Sequence, residues 1–205
     1  MPQLGHHSSA WPSAAVAAFL FWAAPGEAQT DRVRLATVLD SAGSLVAGVS
    51  AGSVIGTGPA FSGVSAGVGL QLFVGVPFAA VDEVRLGGGW SIHGDQAMAD
   101  PVTLTSAYLE THVAIVRTRL LVLRVAPRLA WIELDRAIWP TKLHDFGFGG
   151  VVGARTHTQG RFSFESAIGL TGVTFNTPIS AIQDPDLTES GWIWEFRLGA
   201  AFRLR

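Results

Sequence analysis

The stretch Trp192-Ile193-Trp194-Glu195-Phe196-Arg197-Leu198-Gly199-Ala200-Ala201-Phe202-Arg203-Leu204-Arg205 decides the fold. Even positions hold Trp192, Trp194, Phe196, Leu198, Phe202 and Leu204, while odd positions hold Glu195, Arg197, Gly199, Arg203 and Arg205. A period of two is the pleat of a β-strand, in which successive side chains point to opposite faces. One face here is apolar and aromatic, the other charged or bare. Such a strand suits a barrel that turns its apolar face to lipid and its polar face to the lumen.

The same alternation recurs upstream in seven further segments. The first, about 44–56, sets Leu45, Ala47, Val49, Ala51 and Ile55 against Ser44, Gly48, Ser50 and Gly52. The second, about 61–76, sets Val64 through Val76 in steps of two against Gly63, Ser65, Gly67, Gly69, Gln71 and Gly75. The third, about 83–93, puts Val84, Leu86, Trp90 and Ile92 opposite Glu83, Arg85, Ser91 and His93. The fourth, about 103–116, puts Ala107, Leu109, Val113 and Ile115 opposite Tyr108, Glu110 and His112. The fifth, about 120–133, places Leu121, Leu123, Val125, Leu129 and Trp131 against Arg124, Ala126, Arg128 and Ala130. Pro127 lies on its apolar face and lacks a ladder donor, which predicts a bulge there. The sixth, about 145–157, has Phe146, Phe148 and Val152 opposite Gly147, Gly149, Gly153, Arg155 and His157. The seventh, about 161–174, has Phe162, Phe164, Ile168 and Leu170 opposite Arg161, Ser163, Glu165 and Gly169.

Composition agrees with this reading. One domain is the simplest organisation for 205 residues. Hydrophobic residues make up 48% and charged ones only 15%, and the mean hydropathy is +0.35. Yet the chain after its N-terminal segment has no run of the about 20 apolar residues that a transmembrane helix needs. Alternating strands reconcile the two facts, and the 24 glycines let a narrow barrel close. A net charge of −2 gives no reason to expect a nucleic-acid partner. The absence of cysteine excludes disulfides and thiolate metal sites.

The N-terminus reads as an export signal. Ala14 to Ala24 is an apolar run of the right length, followed by Pro25 and by Gly26-Glu27-Ala28 with small residues at both ends. Residues 1–28 are expected to be cleaved after Ala28, with Gln29 as the mature start; His6 and His7 stand where lysine or arginine is usual. Without a cysteine after the cut, a lipoprotein anchor is excluded. Residues 29–43 read as an N-terminal periplasmic extension or the start of the first strand, leaving 44–205 for the barrel. Counting Arg32 to Leu39 as a separate strand would give nine strands and put the termini on opposite sides.

The connections alternate in length. Short ones fall at Arg117-Thr118-Arg119 and Thr158-Gln159-Gly160, with a slightly longer one around Pro77-Phe78-Ala79-Ala80. Longer polar ones fall at about 94–102, 134–144 and 175–190; the link around Thr57-Gly58-Pro59 reads as short. Short periplasmic turns and long external loops are a membrane-barrel trait. Aromatic residues follow the same axis: Trp90, Trp131, Trp139, Phe61, Phe146, Trp192 and Trp194 fall at the external end, Phe162 and Phe202 at the other. Two aromatic girdles at the lipid–water interfaces are therefore expected.

Signal, alternating segments and aromatic last strand together resemble the small bacterial outer-membrane β-barrels of the outer membrane protein A and X type, over about residues 44–205. The resemblance implies an all-β, eight-stranded antiparallel transmembrane barrel in the outer membrane of a Gram-negative-type bacterium. It implies a monomer in contact with outer-membrane lipid and lipopolysaccharide, with a structural or surface-interaction role. It also implies delivery by the barrel-assembly machinery, which reads a terminal aromatic; here Phe202 is followed by Arg203-Leu204-Arg205.

The candidate functional residues are the inward charges Glu83, Arg85, Glu110, His112, Arg124, Arg128, Arg155, Arg161, Glu165, Glu195 and Arg197, with His157. A narrow barrel is filled by its own side chains and buried charges must be paired, so a lumen charge network is expected. A three-residue turn centred on Thr118 would set His112 opposite Arg124. No third ligand accompanies His112 and Glu110, so no metal is expected, and no cofactor either. Gly87-Gly88-Gly89 precedes Trp90 in a strand and is no phosphate loop. His157, Ser163 and Glu165 lie near one hairpin, but their arginine neighbours favour an ion network, so no catalytic residue is assigned. Three rivals remain: a narrow porin-like channel for ions or small solutes, a lipid A-modifying enzyme, and a secreted soluble barrel of lipocalin type.

Overall fold

The structure, a computed structural model, describes residues 44–78, 82–96, 99–137, 142–156, 161–176 and 188–204. Eight strands form it: β1 (Leu45–Thr57), β2 (Gly67–Pro77), β3 (Glu83–His93), β4 (Val102–Arg117), β5 (Leu121–Asp135), β6 (Leu143–Thr156), β7 (Phe162–Asn176) and β8 (Thr188–Leu204). Each pairs antiparallel with the next, and β1 closes on β8 from Leu45↔Leu204 to Thr57↔Trp192. Closure leaves no open edge, as a sheet in lipid requires, because an unpaired N–H or C=O there has no water to turn to. The nine-strand alternative falls on residues outside the described ones; the sheet is complete without it.

The alternation sorts side chains as the sequence suggests. Leu72, Leu86, Phe148 and Leu198 are 59%, 68%, 65% and 72% exposed on the outer face. Along β5 that face runs Leu121, Leu123, Val125, Pro127, Leu129 and Trp131 before turning polar at Glu133 and Asp135. From Leu121 to Trp131 the strand climbs about 33 Å, or about 25 Å along the barrel axis at a tilt of about 40°. That is the height of the apolar band of a membrane barrel. Trp90, Phe146, Trp192 and Trp194 are exposed at the upper edge, here meaning the end of the long connections. Trp131 is half-buried between Ala107 and Phe146. At the lower edge Phe162 pairs with Phe202, both exposed. Trp139 lies outside the described residues.

Three sequence expectations need correction. Residues 61–66 are not strand: β2 starts at Gly67, and Pro59–Phe61 form a 3-10 turn. Gly58 at φ 98° and Gly63 at φ 77° reverse the chain on either side of it, a conformation glycine adopts without strain. The β1–β2 link is thus one of the long ones, and Phe61 is buried inside the barrel instead of joining the girdle. Second, Pro127 makes no bulge. It pairs with Gly150 in unbroken register, and the irregularity sits on β4 between Ala114 and Val116. The β4 side resumes from Glu110↔Arg128 at Val113↔Val125 with the same register, so the missing proline donor costs pairing but no shift.

Third, the bulge and the turn displace the predicted β4–β5 pairing. Arg124 lies opposite Ala114, not His112, and Glu110 lies opposite Arg128. The turn is centred beyond Thr118: its Oγ1 accepts the Leu121 N–H at 3.0 Å and donates to the Leu121 carbonyl at 3.0 Å, holding Thr118 to Leu120 as the loop. The Thr158-Gln159-Gly160 turn and His157 lie outside the described residues, while Arg155↔Glu165 keeps both side chains on the inner face.

Candidate functional site

Among the described residues, the largest gathering of charged side chains lies in the lumen, which divides along its axis. The upper part is apolar. Phe61, Val102, Leu104, Ile132, Leu134, Leu143, Val173, Phe175 and Ile193 form one buried cluster with Val54, Ala130 and Tyr108. Phe61 packs edge-on against Phe175 with ring centroids 6.3 Å apart. It fits because glycines flank it: a Cβ at Gly191 would come within 2.6 Å of its ring. This apolar plug escaped the sequence reading, which expected a polar lumen throughout. Its signal was the change in alternation at the upper strand ends, where Leu104 and Leu134 stand inward between polar neighbours and Ile132 and Ile193 add inward apolar residues beside tryptophans.

A latch ties the plug down. Arg136 holds Asp95 through Nε at 2.6 Å and Nη2 at 2.9 Å, and its Nη1 donates to the Ser62 carbonyl at 3.1 Å. The Gln96 N–H reaches the Gly63 carbonyl at 2.9 Å, and the Ser65 N–H reaches that of Gly94 at 2.9 Å. The β1–β2, β3–β4 and β5–β6 connections are thereby joined over Phe61. The hydrogen bond to Asp95, then the Asp95 charge, pushes the Arg136 pKa up.

Below the plug lies an ionic lattice. Glu110 accepts from Arg128 and from His112 Nε2 at 2.7 Å, with Arg197 at 3.5 Å. Glu195 meets Arg128, and its Oε1 accepts from Gln71 Nε2 at 2.8 Å. Gln71 in turn accepts from Arg197. Lower still, Glu83 is shared by Arg85, by Arg155 at 3.0 Å and by Arg124 at 3.3 Å. Glu165 takes a two-pronged contact from Arg85 at 2.7 and 2.8 Å, and another from Arg155. Multiple charge-assisted bonds per carboxylate are what permits these groups to be buried at all. Aromatic rings complete the packing: Arg85 lies 4.1 Å from the centre of the Phe73 ring and Arg128 4.7 Å from that of Tyr108. Tyr108 lies across Gly87, whose missing side chain makes room for it. That gives the triple glycine a packing role.

Of the predicted network, ten residues meet in this lattice: Glu83, Arg85, Glu110, His112, Arg124, Arg128, Arg155, Glu165, Glu195 and Arg197. Arg161 does not. It is exposed at the lower rim, where its carbonyl accepts the Arg203 N–H at 2.8 Å. At the first position before a strand end, a long side chain reaches water instead of the lumen. Gln71 belongs to the lattice though it bears no charge, so a search for charges alone misses it.

No protein-family model and no characterised protein sequence matches this chain. Among solved structures, it is similar to Neisserial surface protein A, with a TM-score of 0.54, 11% identity, and coverage of 78% of this chain and 96% of that one. It is also similar to Ail, the attachment invasion locus protein of Yersinia pestis (TM-score 0.46, 13% identity, 78% and 97% covered). A third is the N-terminal barrel domain of OprF from Pseudomonas aeruginosa (TM-score 0.41, 14% identity, 78% and 97% covered). The likeness is one of fold. This chain is an eight-stranded antiparallel closed barrel and shares that fold with the small outer-membrane barrel it is similar to.

The arrangement bears on the rivals directly. A soluble lipocalin-type barrel keeps its apolar face inside and its charges outside; here the middle of the barrel has the reverse. Ser163 and Glu165 do not form a nucleophile pair, because Glu165 is bound by Arg85 and Arg155 while the Ser163 hydroxyl donates to the Ala201 carbonyl at 3.5 Å.

Proposed function

We propose that this protein is a monomeric bacterial outer-membrane barrel, exported by its first 28 residues, that acts structurally or through its long connections and catalyses no reaction. The observation that carries this is the joint distribution of side chains: a belt of exposed leucine, valine and phenylalanine outside, and inside an apolar plug resting on a paired ionic lattice. Among the described residues the plug and the lattice fill the lumen, which argues against the channel reading. All eight strands carry exposed apolar residues, so lipid is the belt's natural partner, and among the described residues no strand edge or separate apolar patch calls for a second copy. The surface left for recognition is the upper rim with its four longer connections, which would face lipopolysaccharide and the outside; the barrel-assembly machinery would insert it.

Outer-membrane fractionation with heat-dependent gel mobility tests the reading. The expected result is a detergent-requiring protein whose folded and boiled forms migrate differently, and a mature chain that stays soluble without detergent would overturn it. Planar-bilayer recordings of the folded barrel should be silent. Lipid A from strains with His157 and with His157→Ala should be identical by mass spectrometry.

A further inference from the structure

We infer that the lower rim of the barrel binds the headgroups of anionic phospholipids, through Arg117 and Arg119 on one side and Arg161 and Arg203 on the other. The inference rests on the reading above that the barrel spans a membrane, and adds which lipid its lower end selects.

The first observation is the sign of the two ends. The upper strand ends and connections carry Asp95, Asp100, Glu133, Asp135, Asp145 and Glu189 against Arg136 and Lys142. The lower turns carry Arg117, Arg119, Arg161 and Arg203, all exposed, against Asp82. The remaining stretches leave this contrast intact whatever their arrangement. Residues 79–81 and 157–160 contain no acidic residue, and 29–43 bring Asp31 and Asp40 together with Arg32 and Arg34. Residues 177–187, in the link from β7 to β8, have Asp184 and Asp186 as their charged side chains.

The second is where these arginines stand. Each is next in sequence to an exposed apolar side chain at the lower limit of the belt: Val116 beside Arg117, Leu120 beside Arg119, Phe162 beside Arg161, and Phe202 beside Arg203. Leu120, in the turn between β4 and β5, is 79% exposed. An apolar residue that enters the acyl boundary fixes its neighbour at the depth of the lipid phosphates. There a guanidinium fork can bond two phosphate oxygens at once.

Arg161 and Arg203 are moreover held face to face. The Arg203 N–H donates to the Arg161 carbonyl at 2.8 Å, one step beyond the Phe162↔Phe202 pair. Like charges directly opposite each other repel, and a phosphate shared between them replaces that repulsion with two attractions. A zwitterionic headgroup offers the same phosphate but brings its own cation against the rim. The net attraction therefore selects lipids of net negative charge, by about fivefold in affinity for each arginine at the surface.

The test uses the full chain refolded in detergent and mixed with equal amounts of phosphatidylglycerol and phosphatidylcholine of the same acyl chains. Retained lipid is counted by native mass spectrometry. Phosphatidylglycerol should be retained at least about fivefold over phosphatidylcholine, the share of one interfacial arginine, and the preference should fall as salt rises. Arg161→Gln with Arg203→Gln should lower the preference, and adding Arg117→Gln and Arg119→Gln should abolish it. Lys142→Gln, at the other end, should leave it unchanged. Equal retention of the two lipids by a heat-modifiable wild-type barrel, a preference indifferent to salt, or one that survives in the fourfold variant would overturn the inference and leave the membrane reading standing. The salt series is read on the wild type, so it decides the matter even if the fourfold variant fails to fold. A chain that is neither heat-modifiable nor lipid-bound would overturn both.

Discussion

Phe61, Phe175, Ile132 and Leu134 fill one end of the lumen, while Glu83, Arg85, Arg124 and Arg155 fill the other. The contrast follows what lies on the far side of the wall. Around much of the apolar plug the outer face carries Thr103, Thr105, Glu133 and Asp135, starting at the level of Trp90 and Trp131. There the barrel is an ordinary water-surrounded sheet, and burying apolar side chains inside it gains the usual hydrophobic free energy. Around the ionic lattice the outer face is Leu, Val and Phe meeting lipid. Moving such a side chain from lipid into the lumen gains nothing, since lipid tails are as apolar as leucine. Directed bonds between charged groups can hold the lumen together there, and they also fix which strands face each other. The wall has one architecture and two solvents, and its filling changes where the solvent does.

The largest effect should come from breaking the lower half at its most shared residue. Glu83→Ala leaves the buried guanidiniums of Arg85 and Arg124 and the half-buried one of Arg155 short of a carboxylate, and removing one partner from such a group costs about 3–5 kcal/mol. Urea titration of the folded band should show it. In the upper half, Phe61→Ala removes a ring packed on Phe175 and should cost about 3 kcal/mol, with bilayer recordings still silent because the lattice below is intact. Conductance in that variant would mean that the plug alone closes the lumen. Asp95→Ala unties the latch and leaves the plug in place, so a loss of about 1 kcal/mol, with faster amide exchange at Val64 and Gln96, is expected. Arg136 keeps its charge throughout the accessible pH range, because its pKa is raised and not lowered; the latch should therefore not weaken between neutral and moderately alkaline pH.

The smallest effect belongs to the exposed rim. Lys142 bonds Glu133 at 2.9 Å and lies 3.3 Å from Asp135, and these contacts, Glu133 first, raise its pKa. A cation with a raised folded-state pKa supports the fold at neutral pH and loses that support as pH climbs past the lysine range. Lys142 is exposed and its contacts are screened, so Lys142→Ala should leave the urea midpoint unchanged within error.

Strand number, the inward and outward faces and the two aromatic edges were all legible in the residue pattern. The period of two is a property of each strand alone and survives whatever the neighbours do. Gly58-Pro59-Ala60-Phe61 was misread because Val64, Ala66 and Val68 continue the alternation backwards, although the chain there leaves the sheet and turns inward. The His112–Arg124 pairing was misread because the turn is centred beyond Thr118, which shifts the register by more than the bulge between Ala114 and Val116 takes back. Arg161 had the inward parity of Glu165 but sits at the rim, where parity no longer decides burial.

By itself the sequence determined that this chain closes its apolar residues outward and its charges inward, and that Trp192, Trp194, Phe162 and Phe202 mark the edges of the belt. That much needs only the pleat and the preference of each side chain for lipid, interface or lumen. Only the tertiary structure decided that Phe61 stops the upper lumen, that Gln71 joins the lattice, and that Glu83 serves Arg124 and Arg155 from two other strands besides Arg85 on its own. Those facts depend on register and closure, which bring residues together across strands far apart in the chain, and no local pattern encodes such a meeting.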